Sequence, residues 1–373
     1  MPKRFEYSRY IRKLATRLPV LNYLILQISL WVIAYLFLSV LTDLVLLTAG
    51  PMLHATINFR AGLFIALFFG FFNGLAAGYA SWIFEKRFYN KALWLIILGK
   101  AIISFIVFVL LISIVRSVIF PYLQERYFDA ATPPVLQQSW DAFFYLLLLY
   151  NIFIGLLISF INQVNKKYGP GVLFPLLLGK YRKPKEEERI ILFMDLKSST
   201  TIAETMENLR YSAFIRDSFM DINAVLSTFN AQIYQYIGDE IVISWTIEEG
   251  LKGLSCIKFF FACQEKFKAR SGHYIDQYGQ VPEFKAGLHM GKIVVVEIGY
   301  IKRDIAYHGD TMNTAARIQS VCNDYNKNFL ASVHVLANTG IAKYYKTESI
   351  GLVELKGKNN PIEITSISRL AGI

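Results

Sequence analysis

The sequence predicts an N-terminal α-helical transmembrane bundle of about four spans, followed by an α+β ferredoxin-like domain. Three observations predict it. Hydrophobic residues make up 54% of the 373 positions and the mean hydropathy is +0.37, high for a soluble protein, and the excess lies in the first half. Lys and Arg gather at the ends of the apolar runs, as membrane-flanking charges do. From Arg189 onward the pattern changes to short apolar runs alternating with amphipathic stretches, in the order strand, helix, hairpin, helix and further strands, which is a split βαβ arrangement.

Four runs are apolar enough to cross a bilayer, which takes about 20 helical residues for a core of roughly 30 Å. They cover about 20–48, 61–84, 92–120 and 143–161. The third holds Lys100 and Arg116 near its ends, where they can snorkel, and one long span is the simpler reading. The N-terminus (Lys3, Arg4, Arg9, Arg12, Lys13, Arg17), the loop with Lys86, Arg87 and Lys91, and the segment with Lys166 and Lys167 are rich in basic residues. The loops at 52–60 and 121–140 are poorer in them and include Glu125 and Asp129. The positive-inside rule then predicts a multi-pass protein integral to the inner membrane, with both termini in the cytoplasm. Asp43 and Lys100 are read as boundary residues rather than parts of an ion pathway. Gly70, Gly74 and Gly78 form a small-xxx-small stripe that serves close packing within the chain or between two chains.

The formal net charge of +11 is explained by these flanks, so nucleic acid is not an expected partner; membrane lipid is. Cys256, Cys263 and Cys322 all lie in the second half without CxxC spacing and read as reduced thiols. The basic N-terminal segment is long, and the apolar run after it exceeds a signal-peptide core, so no cleaved leader is expected.

Gly169-Pro170-Gly171 interrupts the helix leaving the fourth run, a short apolar stretch follows to Leu178, and a charged connector runs from Gly179 to Arg189. The domain reading is therefore a basic cytosolic N-terminus at 1–19, a transmembrane helical domain at 20–162, a linker or coupling element at 163–188 and a soluble domain at 189–373. Within the last, strands are predicted at 190–194, 232–237 and 241–245, and helices at 198–230, 251–270 and 311–322. A hairpin is predicted at 283–298, turning at Met290-Gly291, with late strands near 330–333, 350–355 and 362–367.

Two aspartates stand out by position. Asp195 ends the first strand and Asp239 sits at the tip of the next hairpin. Singly, each is an ordinary cap or turn residue. On neighbouring strands of a split βαβ sheet, both face one cleft. Paired carboxylates there suit hard divalent cations that keep substrate phosphate as a co-ligand, and two such ions support an in-line displacement. The helix expected to start near Ser198 adds backbone N–H groups for phosphate.

Five segments carry a recognisable pattern. Phe193-Met194-Asp195-Leu196-Lys197-Ser198-Ser199-Thr200 resembles the first metal motif of class III adenylate and guanylate cyclases, and Tyr236-Ile237-Gly238-Asp239-Glu240 resembles the second. Gly287-Leu288-His289-Met290-Gly291 looks like the family's Gly-x-His-x-Gly hairpin. His308-Gly309-Asp310-Thr311-Met312-Asn313-Thr314-Ala315-Ala316-Arg317 is close to its Asn/Arg helix, and Leu355-Lys356-Gly357-Lys358 resembles its late Lys-Gly-Lys motif. The resemblance covers about residues 186–368, in the family's order.

The resemblance implies that the soluble half is a class III cyclase catalytic domain. It would convert a nucleoside triphosphate to a 3′,5′-cyclic nucleotide by attack of the ribose 3′-oxygen on the α-phosphate, releasing pyrophosphate. It further implies two Mg²⁺ or Mn²⁺ ions per site on Asp195 and Asp239, with Leu196, Ser198, Ser199 and Thr200 bordering the substrate. Asn313 would position the ribose, Arg317 would stabilise charge on the phosphates and Lys356 would contact the triphosphate. It implies a homodimer whose sites draw on both protomers.

The departure from the family pattern is in base selection. Adenylate cyclases commonly carry Lys four residues before the second metal Asp, and Asp or Thr three before the Gly of the Asn/Arg helix motif; here these positions hold Gln235 and Ala306. Gln both donates and accepts, so it reads adenine or guanine. Asp304 and Tyr307 are candidate substitutes. ATP is the favoured substrate, GTP the second. Other readings are a nucleotide-binding module without turnover, a diguanylate cyclase (disfavoured by Ile237 and by the Asn313/Arg317 motif), and a membrane receptor with a soluble tail.

Overall fold

The computed structural model describes residues 19–53, 59–88, 92–119, 135–168, 178–337, 339–358 and 360–370, and it divides into two compact units, Met1–Leu173 and Phe174–Ile373. The basic N-terminal cluster, Lys91, most of the 121–140 loop and the Gly169-Pro170-Gly171 break with its apolar sequel to residue 177 lie outside the described residues.

The first unit contains α1 (Pro19–Leu53), α2 (Phe59–Arg87), α3 (Leu93–Ile114, extended by a π turn over Val115–Ile119) and α4 (Val135–Tyr168). Each carries a stretch long and apolar enough to cross a membrane: Tyr23–Val45, Gly62–Phe84, Trp94–Val118 and Phe144–Asn165. The third run is thus one continuous helical segment, as expected. Large apolar side chains such as Ile33, Phe37, Phe64 and Phe153 point outward, while Trp31, Tyr35, Phe69, Phe108 and Leu147 pack inside. The Tyr35 hydroxyl accepts from Asn73 Nδ2 (3.0 Å) and Asn151 Nδ2 (2.8 Å), which ties α1, α2 and α4 together. Inside a bilayer such bonds replace water that is not there.

The glycine stripe is resolved as packing within the chain. A Cβ on Gly70, Gly74 or Gly78 would stand 2.6, 2.4 or 2.9 Å from the Cα of Val32, Ile28 or Leu24, so the stripe lets the α2 backbone lie directly on α1. Asp43 sits beside Gly62 in the first turn of α2, where the helix dipole favours a carboxylate. Lys100 is partly buried on α3.

The second unit is a mixed sheet with helices. Its elements are β1 (Lys185–Leu196), α5 (Ser199–Thr205), α6 (Asn208–Leu226), β2 (Gln232–Ile237), β3 (Glu240–Thr246), α7 (Ile247–Leu251), α8 (Ser255–Ala269) and α9 (Ser271–Tyr278). They continue with β4 (Phe284–Ile298), β5 (Asp304–His308), α10 (Asp310–Ser320), β6 (Phe329–Ser332), α11 (Val333–Leu336), β7 (Tyr345–Val353) and β8 (Ile362–Arg369). The strand order is β2-β3-β1-β4-β6-β8-β7, with β5 also on β4; β4 and β6 run parallel and the other pairs antiparallel. The order β2-β3-β1-β4 is the split βαβ core that the sequence predicts. β1 is central because it is apolar on both faces. Ile190, Leu192 and Met194 pack with Phe214 and Phe259, while Ile191 and Phe193 pack with Ile293, Met312 and Ala315 on the other side.

Three expectations are corrected. Residues 284–298 are one strand rather than a hairpin turning at Met290-Gly291. The turn is at Gly299 (φ 88°), and it leads into β5. Gly287 and Gly291 are there for close approach: a Cβ at 287 would lie 2.3 Å from the Gln319 backbone N, and one at 291 would lie 2.7 Å from Thr311 Oγ1, both on α10. The long helix expected at 198–230 is broken at Met206, whose extended backbone separates α5 from α6. β1 begins at Lys185, so part of the charged connector is strand.

Candidate active site

Register puts Asp195 opposite Glu240 on β3 and opposite Lys285 on β4. Gly238, at φ 62°, closes the β2–β3 turn with no side chain to resist it, which brings Asp239 back beside the end of β1. The Asp195 and Asp239 carboxyls are near enough for each to feel the other's charge. Burial, then the charge of Asp239, push the Asp195 carboxyl above its ordinary range; Lys285 Nζ, 3.3 Å from Asp195 Oδ2, opposes this. Gln319 Nε2 donates to the same oxygen at 3.0 Å. Glu240 is pushed up to about 7 by burial and by both aspartates, and the Tyr211 hydroxyl is raised by burial and the same two charges.

Three carboxyls facing one nearby ammonium make a site short of positive charge. That is the donor chemistry of a hard divalent cation. Among the described residues no three His, Cys, Asp or Glu side chains are grouped as a metal cage, and a small hard cation keeps several water or other oxygen ligands beside one or two carboxylates.

The raised carboxyls give a pH prediction. A carboxyl raised in the folded state holds its proton there after the unfolded chain has lost it. Metal-free stability therefore falls as pH rises from about 4.5 through about 7, the interval between the ordinary and folded values of Glu240. Hydrogen exchange of β1 and β3 in the full chain with metal removed is expected to speed up across this interval beyond the intrinsic chemical rate. Glu240→Gln is expected to flatten the trend, and an unchanged slope in that variant would assign it to other groups.

The helix α10 has two functional faces. Gln319 lies on its buried side and reaches Asp195, whereas Asn313 is exposed and Arg317 half-buried on the other sides. The Arg317 guanidinium lies against Gly357 (φ 69°), so the Lys356-Gly357-Lys358 turn and α10 form one surface. Lys358 pairs with Asp310, holding that turn to the start of α10, and Lys356 is exposed. Asn313, Arg317 and Lys356 are thus one group and Asp195 and Asp239 another; among the described residues no hydrogen bond or ion pair joins the two.

Leu196, the last residue of β1, is buried, Ser198 adopts a left-handed conformation (φ 56°) and Ser199 and Thr200 open α5. Gln235 is exposed on β2 beside a register shift, and Ala306 is buried on β5. Asp304 accepts from its neighbour's Ile305 N–H (2.9 Å). Tyr307 stacks on Tyr234, with centroids 4.1 Å apart and planes 12° apart, and its N–H donates to the Tyr234 hydroxyl (3.0 Å). Both proposed substitutes therefore already have local partners. His289 accepts from or donates to Ser332 Oγ at 2.7 Å and is pushed down to about 4, by burial first, so it stays neutral and fastens β4 to the end of β6.

Sequence reading missed Lys285, Glu240, Gln319 and Tyr211. Lys285 and Glu240 were within reach of a register argument, since both stand directly across from Asp195.

Comparison with known proteins places the second unit in a family. Residues 182–366 match the model of the adenylate and guanylate cyclase catalytic domain. Adenylate cyclase 2 of Rhizobium meliloti (strain 1021) is 34% identical over 211 residues, covering 57% of this chain and 58% of that protein. Guanylate cyclase 2D of Rattus norvegicus is 26% identical over 196 residues, covering 51% of this chain and 17% of that protein. Among solved structures, a bacterial light-regulated adenylyl cyclase aligns with a TM-score of 0.49 and 20% identity over 58% of this chain and 65% of its own. The chain thus spans less than two thirds of each of these relatives.

Proposed function

We propose, from the premise that residues 182–366 belong to the class III adenylate and guanylate cyclase family, that this protein is an adenylate cyclase held in a bilayer by α1–α4. It converts ATP, with GTP the second candidate, to the 3′,5′-cyclic nucleotide and pyrophosphate. The observation that carries the reading is the meeting of Asp195 and Asp239 at the end of the central strand, with Lys285 and Gln319 orienting Asp195.

Asp195 and Asp239 are the residues that would hold two Mg²⁺ or Mn²⁺ ions. When bound, such ions stabilise charge on the attacking and leaving oxygens of phosphoryl transfer. Leu196 and the Ser198–Thr200 turn border the triphosphate. Asn313 positions the ribose, and Arg317 and Lys356 stabilise the charge that develops on the phosphates. Because one chain holds these in two groups, the working site is shared by a homodimer, each protomer supplying one group. On the positive-inside pattern of the basic flanks, the catalytic domain lies in the cytoplasm and α1–α4 in the inner membrane.

Gln235 is the polar group left at the base-reading positions, since Ala306 offers none. A single amide accommodates both purines, so discrimination is expected to be weak. The test is full-length protein with Mg²⁺ or Mn²⁺ and ATP or GTP, the products identified by mass spectrometry. Gln235→Lys is expected to raise the ATP-to-GTP ratio of kcat/KM by about tenfold, the scale of one selective polar contact. The missing polar group at Ala306 also favours a second reading, a nucleotide-binding module without turnover. Nucleotide binding with no cyclic product from either triphosphate would establish that reading instead.

A further inference from the structure

We propose that the β4–β5 hairpin tip, with the connector that enters beside it, is a docking surface for the anionic phospholipid headgroups of the bilayer. The proposal rests on reading α1–α4 as membrane spans. Its basis is a juxtaposition within the second unit. Lys185, the first residue of β1, pairs with Val295 on β4, so the last residues of β4, the turn and the start of β5 project beyond the N-terminal end of β1. The chain arrives at that same end: Glu297 N–H donates to the Tyr181 carbonyl at 2.8 Å, and the Tyr181 ring is buried. Only residues 169–177 separate the end of α4 from Leu178, a span of at most about 35 Å. The chain therefore joins this end of the domain, rather than its opposite end, to the last apolar helix.

What that end presents is chemically specific. Tyr300 is 93% exposed and Ile301 100%, and Leu178 and Ile298 are exposed as well. Arg182, Lys183 and Lys302 are exposed beside them. Of the nearest acids, Glu297 lies 3.8 Å from Arg303, Glu187 is held by Arg189 and Lys180, and Glu186 by Lys292, while Asp304 is exposed and accepts from the Ile305 N–H, so Arg182, Lys183 and Lys302 outnumber the one acid at the tip that is outside an ion pair. An aromatic, an isoleucine and flanking cations form the pattern that partitions into an interface carrying negative headgroups. A second protein copy would need matching acids and an apolar recess, whereas a bilayer supplies both chemistries next to a tethered tip.

The test uses the full chain in nanodiscs containing anionic lipid. Ile301→Cys is labelled with an environment-sensitive fluorophore; the native cysteines are buried, so the label goes to the introduced thiol. Doxyl-lipid quenchers are expected to reduce its emission by about half, and charge reversal at Lys302 and Arg303, or neutral lipid, to cut that quenching at least about twofold. Two further labels calibrate it: Phe64→Cys on the outer face of α2, and Leu209→Cys, exposed in the first turn of α6 two residues before Tyr211, whose hydroxyl feels the charges of Asp195 and Asp239 at the other end of β1. Quenching at 301 equal to that at 209, with Phe64→Cys quenched, would overturn the docking surface while leaving the spans intact. A water-shielded but unquenched label at 301 would assign the tip to a second copy and also overturn it. An unquenched Phe64→Cys would overturn the span reading and the proposal together.

Discussion

Asp195→Asn is expected to lower kcat by on the order of 10³-fold or more without destabilising the fold. The two effects separate because of where the carboxyl sits. The substitution keeps a side-chain oxygen for the Gln319 amide, which donates at 3.0 Å, and removes the charge. That charge is unwelcome in the metal-free protein: burial and Asp239 both raise the Asp195 carboxyl, and Asp195 in turn helps to raise Glu240. Above pH 7, neutralising it relieves repulsion among three carboxyls, so thermal stability without metal is expected to hold or rise. A residue retained only for folding would show the reverse, lower stability with activity falling in proportion. The measurements are initial rates of cyclic-nucleotide formation at saturating Mn²⁺, thermal unfolding with and without metal, and Mn²⁺ binding by electron paramagnetic resonance. Retention of more than about a tenth of the parent rate would remove Asp195 from the metal site. The expected pattern is lost activity, weakened Mn²⁺ binding and a melting curve that no longer shifts with metal.

Much of this arrangement was legible in the sequence because each part has a local cause. Four apolar runs with basic flanks give four apolar helices, since length and composition alone decide whether a helix can cross a membrane. Asp195 and Asp239 were findable because an aspartate at the end of a strand of Ile, Phe or Tyr, or in the turn after one, stands at a sheet end, and the split βαβ order makes those ends neighbours. Glycine was the ambiguous letter. Gly291 was read as a turn residue, yet it lies with Gly287 in an extended strand because α10 crosses there; Gly299 makes the turn instead. No local signal distinguishes a glycine needed for φ from one needed for proximity. The charged start of β1 was misread for a related reason. Lys185 to Glu188 pair with β4 beyond the point where β3 pairing ends, so this part of the strand lacks the buried alternation that marks strands in a sequence. Gln319 was invisible because its role depends on the face of α10 turned toward Asp195, which the tertiary packing of Gly287 sets.

Co-expression of Asp195→Asn and Arg317→Ala chains is expected to restore activity that neither variant has alone. Within one chain, α10 turns Gln319 toward Asp195 and carries Arg317 against Gly357 on another side. No hydrogen bond or ion pair among the described residues links Arg317 to the aspartates. In a two-fold dimer that completes each site from both chains, both single variants have two broken sites. A mixed dimer concentrates both defects in one site and leaves the other intact. Random pairing makes about half of the dimers mixed, each with one working site of two, so about a quarter of the parent activity returns. Tandem purification through two different tags isolates the mixed dimers, and their specific activity is expected to be about half that of the parent. If one chain supplied every residue of its own site, the mixture would stay as inactive as its components. Separation of the two groups in the fold would then reflect a rearrangement on substrate binding rather than a shared site. The outcome turns on α10 presenting opposite faces to two different sites, a division that the spacing of Arg317 and Gln319, two residues apart on one helix, imposes on any rigid dimer.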